Sequence, residues 1–215
     1  MVRRNRAISN ASHGLVIVND VVTTTGENVS KNRVKGASDG VTAGAGLAVR
    51  SASNLATGNV VHANTVKGYQ QGIEITGTVV RASSNKAQDG GIGFVVDTED
   101  SVIVDNRAVG NGTGFDVIGN GNAFGANAAK RQTGNGFDVT GSSNTFVGDR
   151  AIKNGDVGFV IADTAPGEGN TLSETRAKRN ADCQYQIGDN NVDGGGNRAN
   201  GKSISFGADG GDFCP

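Results

Sequence analysis

Gly114-Phe115-Asp116-Val117, Gly136-Phe137-Asp138-Val139 and Gly158-Phe159-Val160-Ile161 are three copies of one pattern, set 22 residues apart. In each copy the aromatic residue and the closing β-branched residue lie two positions apart. On a strand this puts both on one face and the residue between them on the other. The pattern extends upstream to Gly93-Phe94-Val95-Val96, Gly72-Ile73-Glu74-Ile75, Gly46-Leu47-Ala48-Val49 and Gly14-Leu15-Val16-Ile17. Two degenerate copies follow, Gln184-Tyr185-Gln186-Ile187 and Ser203-Ile204-Ser205-Phe206. The central spacings of 21, 21, 22 and 22 residues suit one coil of a solenoid, not a propeller blade or a helical repeat.

A second landmark keeps the same phase. Asn85, Asn106, Asn127 and Asp149 each lie thirteen residues after a signature Gly, and Asn197 lies thirteen after Gln184. Asn32 and Asn64 fall eighteen residues on and Thr175 seventeen, so the insertions sit in connecting loops, where a solenoid tolerates them. Stacked coils then place Phe94, Phe115, Phe137 and Phe159 in one inward column, with Val96, Val117, Val139 and Ile161 beside it. The Asn positions form a ladder at a corner, bonding along the stack.

Composition agrees. Hydrophobic residues make up 35% of the 215-residue chain and Gly supplies 35 positions, too lean for a thick globular core but enough for coils that each bury a few side chains. Gly and Asn disfavour helix interiors, and the apolar residues alternate instead of recurring at three and four. A β-sandwich would not require such uniform copies. The expectation is an all-β, single-stranded right-handed parallel β-helix of about nine coils, roughly 21–22 residues per regular coil. Residues 1–13 read as a cap or leader, 14–206 as the β-helix and 207–215 as a tail.

The coil length, the Gly-apolar-variable-Val strand and the Asn-Arg-Ala or Asn-Lys-Ala step resemble the right-handed parallel β-helix repeat superfamily, which includes pectin-lyase-like enzymes and small secreted bacterial repeat proteins. That resemblance implies a carbohydrate-associated protein, secreted or at the cell surface, and either a lyase or hydrolase of an acidic polysaccharide or a non-catalytic module binding glycan or protein along its outer sheets. One architecture hosts many functions, so the residues must carry the choice. The formal charge of −1 gives no field to gather nucleic acid, and no apolar run is long enough to cross a bilayer. Arg3, Arg4 and Arg6 have no apolar stretch behind them and so are not a complete export signal. Cys183 and Cys214 are a disulfide or two free thiols; their spacing leaves both open.

The outward row of the repeated strand reads Val16, Ala48, Glu74, Val95, Asp116, Asp138, Val160, Gln186 and Ser205. Asp116 and Asp138 occupy equivalent positions in adjacent coils, about 4.8 Å apart at Cα, and two like charges that close raise at least one pKa. Paired carboxylates serve as acid and base, or acid and nucleophile, in glycoside cleavage. They also hold Ca²⁺ when further oxygens join them, and otherwise they are a solvated polar pair. Glu74 and Gln186 stand in the same row, placed to flank a bound chain. Lys86, Arg107, Arg150, Arg176 and Arg198 follow the Asn ladder and suit a polyuronate or a sulfated sugar, or a solvated corner. Lyases of the resembled superfamily use a basic residue to take a proton beside a uronate carboxyl, a part that Arg131 or Lys130 could fill. Trp is absent, leaving Tyr69 and Phe213 as candidate sugar platforms, while His13 and His62 make local hydrogen bonds. The Gly-Phe-Asp copies are too far apart for a nine-residue calcium-binding repeat, and no metal-ligand spacing is present.

Overall fold

The computed structural model describes residues 1–10, 12–19, 28–37, 41–51, 59–78 and 80–214. The extra residues of the two long early coils, 20–27 and 52–58, lie outside that set. Among the described residues all regular elements are strands, arranged in three sheets of nine, ten and nine. Each coil contributes one strand to each sheet before the chain moves up one level. The sixth coil shows the pattern, with Ala123–Gly125 in the first sheet, Ala128–Lys130 in the second and Phe137–Val139 in the third. Eight such three-strand coils stack in parallel, and Val192–Asp193 and Arg198–Ala199 begin a ninth.

The inward columns follow the alternation. Phe94, Phe115, Phe137, Phe159 and Tyr185 are fully buried in the third sheet, and the rings of Phe94, Phe115 and Phe137 stack with centroids 4.7 and 4.6 Å apart. The first sheet adds a second ladder, with Phe124 on Phe146 at 4.6 Å. The second sheet supplies only small residues in the regular coils, among them Ala87, Ala108, Ala129 and Ala151. The repeat's Gly and Ala are matched parts: a Cβ on Gly114 would strike the carbonyl oxygen of Gly136 and the methyl of Ala129. Glycine therefore opens the signature because the corner between the second and third sheets is packed backbone against side chain.

All three corners carry polar ladders. At the first, Asn85 Oδ1 accepts from the backbone N–H and Nδ2 of Asn64 at 2.9 and 3.0 Å, while Asn85 Nδ2 donates to Val61 O at 2.7 Å. The rung repeats through Asn106 and Asn127 to Asp149. A second ladder runs through Asn111, Gln132, Asn154 and Asn180, and a third through Ser101, Asn122, Asn144, Asn170 and Asn191. Backbone groups at a buried turn need partners, and each side-chain amide supplies them across two coils.

Both ends depart from the simple repeat. Stacking begins ahead of Gly14, because Val2 and Arg3 pair with Val29 and Ser30. At the other end Ser203-Ile204-Ser205-Phe206 does not make a further third-sheet strand. Instead the chain reverses at Asn200 and Gly201, Lys202–Ser203 pairs antiparallel with Arg198–Ala199, and Gly211–Phe213 pairs antiparallel with Tyr185–Ile187. An open last coil would expose a row of unpaired backbone groups, and the tail covers part of it. A disulfide between Cys183 and Cys214 fastens that cover.

Candidate functional site

Asp116 and Asp138 lie side by side on the outer face of the third sheet. Phe115–Val117 pairs in register with Phe137–Val139, making the two Asp residues Cα partners. Their rows continue to Val95 below and Val160 above, so the carboxylates are bracketed along the stack by aliphatic side chains. Both are half-buried. Burial, with the charge of Asp138 as a second cause, pushes the Asp116 carboxyl above the ordinary carboxylate range. Asp138 instead accepts a hydrogen bond from Asn135 Nδ2 at 3.1 Å. Two chemically identical groups one strand apart thus meet different surroundings.

Glu74 is in the same row, a Cα partner of Val95, but it is buried and engaged by Arg50, whose Nε and Nη2 donate to its two carboxylate oxygens at 2.9 and 3.2 Å. Sequence reading missed this partner, because Arg50 lies 24 residues away and stands opposite Thr76, two positions out of line with Glu74. Gln186 pairs with Val160 and, across the cap, with Asp212. Arg107 and Lys130 are on the second sheet, a different face, where Arg107 aligns with Lys86 and Ala128. Arg131 opens the corner leading from that face to the third sheet, with a φ of 58°. Among the described residues the ion pairs are Arg50–Glu74 and Lys67–Asp89, so Arg107, Lys130 and Arg131 form none with the paired acids.

Tyr69 is fully buried and its hydroxyl donates to Lys35 O at 3.5 Å, so it is a core residue and not a sugar platform. Phe213 is half-buried, edge-on to Tyr185 with centroids 6.2 Å apart. Inward alternation and the cap claim both rings. His62 makes the local contact expected of it, Nδ1 to Ser83 Oγ at 3.0 Å. No group of three or more His, Cys, Asp or Glu gathers among the described residues. Two carboxylates supply only part of the six to eight oxygens that Ca²⁺ takes.

The fold is shared with the crystal structure of pectate lyase Pel9A, a right-handed parallel β-helix, at 15% sequence identity and a TM-score of 0.55. The likeness covers 93% of this chain and 64% of that one, so this chain spans less than two thirds of that structure's length. At this identity the likeness establishes the fold. No family model and no curated protein matches the sequence.

Proposed function

We propose, from the β-helix shared with a pectate lyase and the register of Asp116 with Asp138, that the protein is an exported, carbohydrate-associated β-helix that cleaves an acidic polysaccharide. The observation carrying this reading is that the two carboxylates are Cα partners in unlike surroundings. Asp116, whose pKa burial and the neighbouring Asp138 raise, gives its proton to the glycosidic oxygen. Asp138, which accepts a hydrogen bond from Asn135 Nδ2, acts as base or nucleophile. Gln186 extends the same outer row along a bound chain, while Glu74 of that row is held by Arg50. Acidic substituents of the substrate turn towards the corner at Arg131 and the basic second sheet, where Lys130 and Arg107 stand. The disulfide supports export, since such bonds persist in oxidising compartments.

A second reading, a non-catalytic module that binds glycan along its outer sheets, is favoured by one observation. Among the described residues no aromatic ring is exposed, so the usual stacking platforms of a sugar cleft are absent from the surface. Reducing-end release from uronate-containing and neutral polysaccharides, measured for the parent, Asp116→Asn and Asp138→Asn, separates the two. Turnover by the parent that either substitution abolishes supports cleavage. Binding without turnover supports the module.

A further inference from the structure

Charge is distributed unevenly along the solenoid. Ten of the 20 basic residues but only five of the 21 acidic ones (Asp20, Glu27, Asp39, Glu74 and Asp89) fall in the first 90 positions. On the outer face of the first sheet, residues of the first three coils, with cations in the first two, surround a concavity of about 520 Å³. Its basic residues are Arg3, Arg4, Lys31 and His62, with Ser30 and Val60 also lining it.

The backbone register explains the shape. Arg3, Ser30 and His62 are Cα partners in successive coils, and Ser30, 4% exposed between two longer side chains, forms the floor. Arg4 and Lys31 occupy the next position in their coils, the corner, with φ of 55° and 56°. The Arg4 N–H donates to Ser30 O at 3.1 Å and the Lys31 N–H to His62 O at 3.0 Å, so the two corners stack one coil apart. Later coils fill the same left-handed corner with Ala63, Ser84, Asp105 and Ala126. The fold therefore does not require a cation there. Stacking like charges is unfavourable, and among the described residues Arg3, Arg4 and Lys31 form no ion pair that would offset it.

We infer that this concavity binds the carboxylate or sulfate groups of an acidic glycan, at a site separate from the Asp116–Asp138 face. The inference rests on the glycan reading for its ligand class, and on the geometry of the first sheet for its place. Guanidinium groups match the planar oxygens of both anions. The same corner turns acidic at Asp105 and Glu174, so the unbroken phosphate row of a nucleic acid following the stack would be repelled where a glycan held at one end is not.

Calorimetric titration of the whole chain tests the site with four probes of equal length: an oligouronate, a sulfated oligosaccharide, a neutral oligosaccharide and a single-stranded oligonucleotide. One or both acidic oligosaccharides bind, the tighter identifying the preferred anion, and the neutral one does not. Arg4→Ala with Lys31→Ala lowers that affinity at least about tenfold without shifting Tm, and Arg4→Lys with Lys31→Arg retains it. Unchanged affinity in the alanine pair, or an oligonucleotide bound as tightly as the glycans, overturns the proposal. Turnover accompanied by binding independent of Arg4 sinks this site alone. Arg4-dependent binding without turnover on any polysaccharide sinks the catalytic reading alone.

Discussion

Asn127 donates both its backbone N–H and its side-chain Nδ2–H to a single oxygen of Asp149, Oδ1, at 2.7 and 2.9 Å. The other oxygen, Oδ2, is buried and has no hydrogen-bond partner. In the two rungs before it that place belongs to an amide nitrogen, as when Asn127 Nδ2 donates to Ile103 O at 2.7 Å. A carboxylic acid has been set into a ladder built for amides, and burial pushes its pKa up to about 7.

A pH dependence of stability follows. A carboxyl whose folded pKa exceeds its unfolded value favours folding fully below the unfolded pKa, and that contribution is lost as pH rises through the folded one. The window therefore runs from about 4 to about 7, with a loss of about 4 kcal/mol at most across it. Asp149→Asn restores an amide donor and removes the titration. Its Tm should exceed the parent's at pH 7.5 and converge on it at pH 4. A variant less stable than the parent at pH 7.5 would show that the ladder does not work as described.

For the paired acids, Asp116→Asn should lower turnover by about 10²-fold or more, since a positioned proton donor contributes on that scale, with glycan affinity little changed. Parent activity should fall as pH rises through the elevated Asp116 value, because the donor must hold its proton. Asn135→Ala should weaken turnover less than Asp138→Asn, as it removes the hydrogen bond to the base and the one Asn135 Oδ1 accepts from Val157 N–H but leaves the carboxylate in place. Equal activity in the parent and Asp116→Asn across the pH range contradicts the assignment.

The disulfide closes a sequence separation of 31 residues, and cross-links of that span contribute about 3–4 kcal/mol. Cys183→Ser with Cys214→Ser should lower Tm and release the antiparallel strand Gly211–Phe213 first. Hydrogen exchange would report this as fast exchange of Gln184 N–H, which donates to Phe213 O at 2.8 Å, while amides of the central coils stay protected. Uniform loss of protection along the whole stack would place the effect elsewhere.

The close packing of the corner between the second and third sheets predicts that Gly114→Ala is more damaging than a typical glycine substitution. The added methyl meets the Gly136 carbonyl and Ala129, neither of which is the end of a flexible side chain. The loss should reach about 1–3 kcal/mol by chemical denaturation, the range for overpacking a filled core. Ala129→Gly in the same chain should recover part of it by removing one of the two contacts; no recovery would argue against the fit between the two positions.

Much of the third sheet was legible from alternation and spacing. Phe115, Phe137 and Phe159 had to stack if coils of equal length repeat, and with them Asp116 had to meet Asp138. The corner ladder from Asn64 to Asp149 followed by the same logic. The other two ladders carried an equally readable signal, since Asn122, Asn144, Asn170 and Asn191 recur at intervals of 22, 26 and 21, but the 26-residue step across the loop at Pro166 obscured it. Arg50 escaped notice because its bond to Glu74 runs diagonally, outside any fixed-period comparison.

What the chain alone determined was which residues share a column, because strand alternation has a period of two and a coil of constant length returns each position above itself. The tertiary structure decided which faces adjoin and how the stack ends. Lys130 and Arg131 are near Asp138 along the chain, yet Lys130 belongs to the second sheet and Arg131 opens the turn between, for the angle at a corner is set by packing across it and not by separation in sequence. The tail likewise turned back to pair with Tyr185–Ile187 because an open edge leaves backbone groups unsatisfied, a cost that exists only once the coils are assembled.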